Sequence, residues 1–167
     1  MPIREAIMSA VPSKPTECKN FLLSMLAEEE YKTVITHLEL IGTPLHFKIC
    51  DRDKPIRYAY FPCSGEHSFI AMTDEGHGAE VGTVGYEGFS TVDLLMDAEM
   101  ASETAVCQIA GESLRMPADQ FRTLTTGKGA LRHITLRYLQ AYLAKVSPRR
   151  LRRMGEAYIK GRFSAFI

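Results

Sequence analysis

The sequence predicts a mainly β domain, an antiparallel sandwich or barrel of short strands flanked by N-terminal helices and one long C-terminal helix. Three observations predict it. From Leu38 to about Met116 the chain breaks into short β-forming segments at near-regular spacing, separated by turn residues. Apolar residues recur at helical spacing over Asn20 to His37. From about Ala130 they recur again, now as two parallel stripes.

The bulk numbers agree with one ordinary domain. The 167 residues are 46% hydrophobic and 24% charged, enough apolar material for a core and enough charge for a soluble chain. No apolar run has membrane-spanning length, and Met1 to Ala6 lacks the apolar core of a secretory signal, so a cytoplasmic protein without membrane contact is expected. Cys18, Cys50, Cys63 and Cys107 contain no C-x-x-C pair and read as buried thiols, neither a disulfide frame nor a zinc site.

The elements follow in order. Residues 1–16, with three prolines, read as a flexible leader. Phe21, Leu22, Met25 and Leu26, then Tyr31, Val34, Ile35 and Leu38, place one helix over Asn20 to His37. Glu28-Glu29-Glu30 suits a first turn, where the helix dipole favours carboxylates. The strand region breaks at Gly42, Pro44 and Pro55, and an Asp/Glu-Gly turn within "TDEGHGAEVGTVG" joins two strands. "TAVCQIAGESLRMP" predicts a hairpin around Ala110-Gly111-Glu112. Pro117 suits the first position of a short helix over "PADQFRTLTTG". In the long helix, Leu136, Leu139, Leu143 and Val146 form one stripe, and Leu131, Ile134, Tyr138 and Tyr142 a second. A small barrel covers one of these faces, so the first stripe is expected to be the seam of a homodimer. Ser147-Pro148 is expected to interrupt the helix.

Charge is unevenly spread. Lys145 to Arg162 holds seven basic residues and a single acid, Glu156, whereas Tyr58 to Leu114 holds ten acids and no lysine or arginine. At the centre of that basic-free span lies "VGTVGYEGF", with glycines at Gly82, Gly85 and Gly88. Its spacing is neither that of a dinucleotide loop nor that of a P-loop.

Helices, short strands and a long helix in this order resemble the sensor half of the Crp/Fnr superfamily of bacterial transcription regulators. The resemblance rests on "LLSMLAEEEYKTVITHLEL", "DKPIRYAYFPCSG", "EVGTVGYEGF", "AVCQIAGESLRMPADQF" and "LRYLQAYLAKV", which come in the family's order over residues 20–146. It implies an antiparallel jelly-roll barrel of the cyclic-nucleotide-binding-domain type. It also implies a phosphate-binding cassette: amides near glycines, a glutamate for the ribose and an arginine downstream. Gly85, Glu87 and Gly88 resemble the first part, although Tyr86 separates a glycine and glutamate that nucleotide-binding members place together. The basic position falls at Glu103-Thr104-Ala105, and no arginine is there. An arginine–phosphate bond contributes about 1.5–3 kcal/mol. Its loss, among Glu87, Asp93, Asp97, Glu99 and Glu103, predicts a loop that keeps the cradle's shape without its charge. Gly85, Glu87, Gly88, Thr104 and Ala105 are therefore the candidate ligand residues of a degenerate cassette.

Other chemistries find little support. The five histidines form no H-x-H or H-x-x-x-H pair, so no metal site or cofactor is expected. Ser64, Ser68 and Ser90 sit in no motif that supports a nucleophilic triad, so no catalytic group is expected. After Val146 only residues 147–167 remain, fewer than the roughly 40–45 a winged helix-turn-helix needs. The expected organisation is a leader (1–16), a sensor domain (17–146) and a basic tail (147–167). The expected function is non-enzymatic sensing of an unidentified small-molecule effector other than cAMP, with weak, non-specific nucleic-acid contact through the tail. The alternatives are a transcription regulator touching DNA through that tail or a partner, and a cupin-like barrel binding a metal or small molecule.

Overall fold

The computed structural model describes the backbone of residues 11–72 and 78–159, and side chains within 11–71 and 79–144. Residues 1–10 of the expected leader, the turn carrying His77, residues 160–167, and the side chains of Val146 and of the basic tail lie outside this description.

The expected first helix is two helices, α1 (Phe21–Ser24) and α2 (Glu28–Ile35). Asn20 caps α1 by accepting from the Leu23 amide at 3.2 Å, and α1 ends after one turn. Ala27, with ψ 151°, re-aims the chain so that Glu28-Glu29-Glu30 fill the first turn of α2. The break lets Leu22 and Leu23 of α1, and Tyr31 and Val34 of α2, reach one core from different directions. The described end of the leader is tied to it: Val11 packs on that core, and the Tyr31 hydroxyl donates to the Pro12 carbonyl at 2.9 Å.

Seven antiparallel strands follow: β1 (Glu39–Thr43), β2 (Lys48–Cys50), β3 (Tyr58–Pro62), β4 (Glu66–Met72), β5 (Gly78–Val84), β6 (Thr104–Ile109) and β7 (Gly111–Pro117). They form two sheets, in the orders β1-β7-β3 and β2-β6-β4-β5. β4 and β5 pair as expected, antiparallel from His67↔Val84 to Met72↔Gly78 with a register shift between Phe69 and Ile70. β6 and β7 do not. β6 pairs with β2 and β4 in one sheet, β7 with β1 and β3 in the other, so the chain changes sheets at Ala110.

Sterics explain the departure. The β3–β4 link changes sheets at the same corner, and the two crossings press on each other. A Cβ on Gly65 (φ +75°) would collide with the Ile109 carbonyl, and one on Gly111 with the Ser64 carbonyl. The Cys63 and Glu112 backbones join the crossings at 2.8 Å. Local sequence marks such a turn but not which sheet receives each strand.

α3 (Ala118–Thr125) begins one residue after Pro117, which serves as its cap, and α4 spans Ala130–Ile159. α4 is helical through Ser147 and Pro148, against the expected interruption. A proline removes a single amide and crowds one carbonyl, a cost that a helix this long absorbs.

Two apolar clusters result. The larger joins α1, α2, α3 and β3 around Phe61, Phe89 and Phe121, whose ring centroids lie 5.4–6.2 Å apart. The smaller, Ile49, Tyr60, Phe69, Val84 and Ala105, fills the space between the sheets. Tyr138 of α4 packs against both.

One buried polar clamp ties the sheets. His67 of β4 is wholly buried, with Nδ1 2.6 Å from Ser90 Oγ and Nε2 3.2 Å from Ser113 Oγ of β7. Sequence distance concealed the His67–Ser90 pair. Burial pushes the imidazole from 6.5 down to about 4, so the folded state holds it neutral. The unfolded chain takes up the proton first as pH falls. The clamp's stabilisation is therefore complete above about 6.5 and is lost progressively toward about 4, a difference of about 3 kcal/mol. Denaturant unfolding at pH 7 and pH 4.5 should show wild type losing more stability than His67→Gln, which starts lower but carries no titrating ring. Equal losses would contradict this origin.

Candidate functional site

The stretch that resembles a phosphate cassette divides into a turn and a helix. β5 ends at Val84, and Gly85–Gly88 form a turn closed by the Gly88 amide on the Gly85 carbonyl at 3.2 Å. Glu87 folds back onto this turn, accepting from the Gly85 amide at 3.3 Å. The turn is held from the N-terminal side. The Phe21 amide donates to the Tyr86 carbonyl at 2.7 Å. The buried Asn20 amide donates to the Gly88 and Pro62 carbonyls, each at 2.8 Å. From the other side α4 closes on it: the Tyr138 ring lies where a Gly88 Cβ would be. Glycine is needed at position 88 for this close approach.

Past the turn, Ser90 and Thr91 are stitched to β3. The Ser90 amide donates to the Tyr60 carbonyl at 2.9 Å and the Thr91 hydroxyl to the Tyr58 carbonyl at 3.1 Å. A short 3-10 helix, Val92–Met96, begins there and ends at Asp97 in the left-handed region, φ 59°. Asp93 fixes the returning chain by accepting from the Ser102 amide at 3.1 Å and its hydroxyl at 2.9 Å.

Between this 3-10 helix, the β2-β6-β4-β5 sheet and α4 lies a cavity of about 370 Å³. Cys50 and Phe69 form its floor, and Thr91, Val92, Asp93 and Met96 its cassette wall. Ser102 and Glu103 form the far rim, and Leu139, Tyr142 and Leu143 of α4 roof it. Among the described residues that line it, the charged side chains are two carboxylates, Asp93 and Glu103. Burial pushes the Cys50 thiol up to about 11, so it stays protonated and supplies no nucleophile. Burial likewise holds the Tyr138 phenol neutral.

His67 and Ser90 are paired but both wholly buried, out of reach of a substrate. Among the described residues no group of three or more His, Cys, Asp or Glu is placed to hold a metal ion. A second hollow, about 400 Å³ beside Leu94 and Thr126, contains Arg122 and Arg132. These already bind Asp119, the Ala98 carbonyl and the Thr125 carbonyl.

The structure places the sequence candidates unevenly. Gly85, Glu87 and Gly88 belong to the turn between α1 and α4 and do not line the cavity. Thr104 accepts from the Arg52 amide at 3.2 Å, and Ala105 is buried in the smaller core cluster. Neither faces the cavity; their neighbour Glu103 does. Asp93, Thr91 and Phe69 were missed as a group. Asp93 in the short helix after a glycine turn is the signal that marks them. In α4, Leu131, Ile134, Tyr138 and Tyr142 pack inward. Leu139 is 9% exposed and faces the cavity, whereas Leu136 and Leu143 are 36% and 53% exposed. Exposed Phe21 begins α1, which contacts α4, and exposed Met25 caps its C-terminal end.

No family model and no curated protein matches the sequence. Solved structures do match in shape. A Geobacter metallireducens protein described as cyclic-nucleotide-binding shares 13% identity over 79% of this chain and 96% of its own, with TM-score 0.63. The N-terminal domain of a transcriptional regulator from Streptomyces coelicolor shares 14% over 90% and 99%, TM-score 0.57. The regulatory subunit of a cAMP-independent protein kinase A from Trypanosoma brucei shares 13% over 75% of this chain, TM-score 0.60. This chain covers only 43% of that subunit. The form matched is a mutant bound to cAMP in its A site, with glutamate changed to alanine, threonine to arginine and the adjacent valine to alanine. At these identities the likeness establishes the fold: the chain has the cyclic-nucleotide-binding-domain architecture.

The Gly88–Tyr138 contact generates a specific expectation. Gly88→Ala should destabilise the protein by about 1–3 kcal/mol and raise amide exchange over residues 130–144 of α4. Combining it with Tyr138→Ala should cost less than the two single changes added together. Strict additivity in a denaturant cycle would show that the contact does not hold α4 in place.

Proposed function

We propose that this chain is a non-enzymatic regulatory sensor domain of the Crp/Fnr type, cytoplasmic, whose effector is not a cyclic nucleotide, and that it acts as a homodimer through α4. The observation that carries this reading is the cavity wall, where the cassette helix is present but, among the described lining residues, the charged side chains are Asp93 and Glu103. A cyclic phosphate there meets two like charges and loses an arginine bond of about 1.5–3 kcal/mol. The trypanosome neighbour supports the same logic: its cAMP-bound form is a mutant that gained an arginine followed by an alanine. Here Thr104 is followed by Ala105. The inward position, however, is Glu103.

Dimerisation is supported by the apolar side chains that α4 leaves exposed. Leu136 and Leu143 lie one heptad apart, with Phe21 of α1 and Met25 at its C-terminal cap also exposed and α1 packed against α4. A leucine buried at such a seam contributes roughly 1.5–3 kcal/mol. The division into leader, sensor domain and basic tail belongs to the same reading. Arg149–Arg153 supply only sequence-independent phosphate contacts.

Two measurements test the proposal. Calorimetry at physiological salt should detect no cAMP binding by the wild type up to millimolar ligand. Glu103→Arg should acquire measurable binding. Micromolar affinity in the wild type would contradict the reading. Light scattering should give a mass near twice 18.7 kDa, and Leu136→Glu with Leu143→Glu a folded monomer. A wild-type monomer at tens of micromolar would refute the dimer.

A further inference from the structure

We propose that Cys18 and Cys63 are a redox pair, closing to a disulfide that fastens the segment before α1 to the end of β3 and so fixes the Gly85–Gly88 turn from that side. Neither residue lines the cavity. Hydrogen bonds and an ion pair tie the two segments together on both sides of the pair. The Asn20 side-chain amide donates to the Pro62 carbonyl at 2.8 Å, one residue from Cys63. Lys19 Nζ lies 3.8 Å from Glu112 Oε2, and the Glu112 carbonyl accepts from the Cys63 amide at 2.8 Å. Cys18 is buried in the larger apolar cluster, and Cys63, half-buried, packs against that same cluster. The Tyr31 phenol feels both thiols: after burial, Cys18 and then Cys63 push it up. Cys18 is likewise the next cause after burial that pushes the Cys63 thiol up to about 11.

Burial keeps both thiols protonated near neutral pH, so the pair closes slowly there and faster as thiolate forms. The oxidant is a low-molecular-weight disulfide. Cys63, the more exposed, attacks it as thiolate, forming a mixed disulfide and releasing one thiolate of the oxidant. Cys18, as thiolate, then attacks the Cys63 sulfur and expels the second. The protein loses two electrons, which leave with the two released thiols together with the protons of Cys18 and Cys63. The effect reaches the turn through Asn20 and Phe21. Asn20, two residues after Cys18, also donates to the Gly88 carbonyl at 2.8 Å, and the Phe21 amide donates to the Tyr86 carbonyl at 2.7 Å. With Cys18 fastened, neither donor can withdraw freely, so the turn opens less often.

The test equilibrates the whole chain at pH 8.5 with a mixture of oxidised and reduced glutathione, alkylates the remaining thiols and maps the peptides by mass spectrometry. The expected product is an intrachain disulfide joining Cys18 to Cys63, with Cys50 and Cys107 alkylated. Amide exchange at Tyr86–Gly88 should be at least about fivefold slower in that product than in reduced protein. Dithiothreitol should restore the faster exchange. Cys63→Ser should form no intrachain disulfide and show the same exchange in both buffers; the wild-type map decides the matter even if that variant does not fold. A disulfide joining any other pair, glutathione retained on Cys63 without closure, or closure only in urea-unfolded protein would overturn the proposal. So would a Cys18–Cys63 bond that leaves exchange at the turn unchanged.

Discussion

The contact on which the site depends is the Tyr138 ring lying directly over Gly88. Position 88 has no side chain, so an aromatic from α4 reaches the turn's backbone and joins both apolar clusters. Across the same turn Asn20 donates to the Gly88 carbonyl, joining residues 68 apart in sequence. The turn is thus held between the first helix and the last. Everything that follows it, the stitched Ser90-Thr91 pair and the 3-10 helix, starts from a fixed point. A cavity with a fixed cassette wall and a helical roof is the consequence.

Electrostatics then separates shape from chemistry. The fold brings the 3-10 helix, β6 and α4 around a partly open hollow of about 370 Å³. The span from Tyr58 to Leu114 places acids there and no arginine or lysine. On the reading proposed above, carboxylates at such a site hold an anion less well than an arginine would. The buried His67 clamp illustrates the same economy elsewhere. Burial keeps the ring neutral, and its contacts with the Ser90 and Ser113 hydroxyls serve to join the sheets.

Much of the architecture was legible because it is local. Short β-forming segments, the Glu28–Glu30 first turn and the inward stripe Leu131, Ile134, Tyr138 and Tyr142 follow from periodicity and dipole effects. What escaped is non-local. Ala27 breaks the first helix because α1 and α2 serve one core from two directions. Ala110 separates strands of different sheets because two glycine-mediated crossings share a corner. The glycines of "VGTVGYEGF" drew attention as a phosphate cradle, yet Gly88 answers to a tyrosine fifty positions later. Likewise Glu103 and Thr104 are adjacent in sequence, but only Glu103 reaches the cavity.

The central claim is that the site keeps the shape of a cyclic-nucleotide cassette without the charge to hold the phosphate. Amide chemical shifts recorded during a cAMP titration test it at the residues concerned. Up to millimolar nucleotide, the amides of Ser90 to Met96 and of Ser102 to Thr104 should not move. Saturable shifts clustered at those amides would contradict the account.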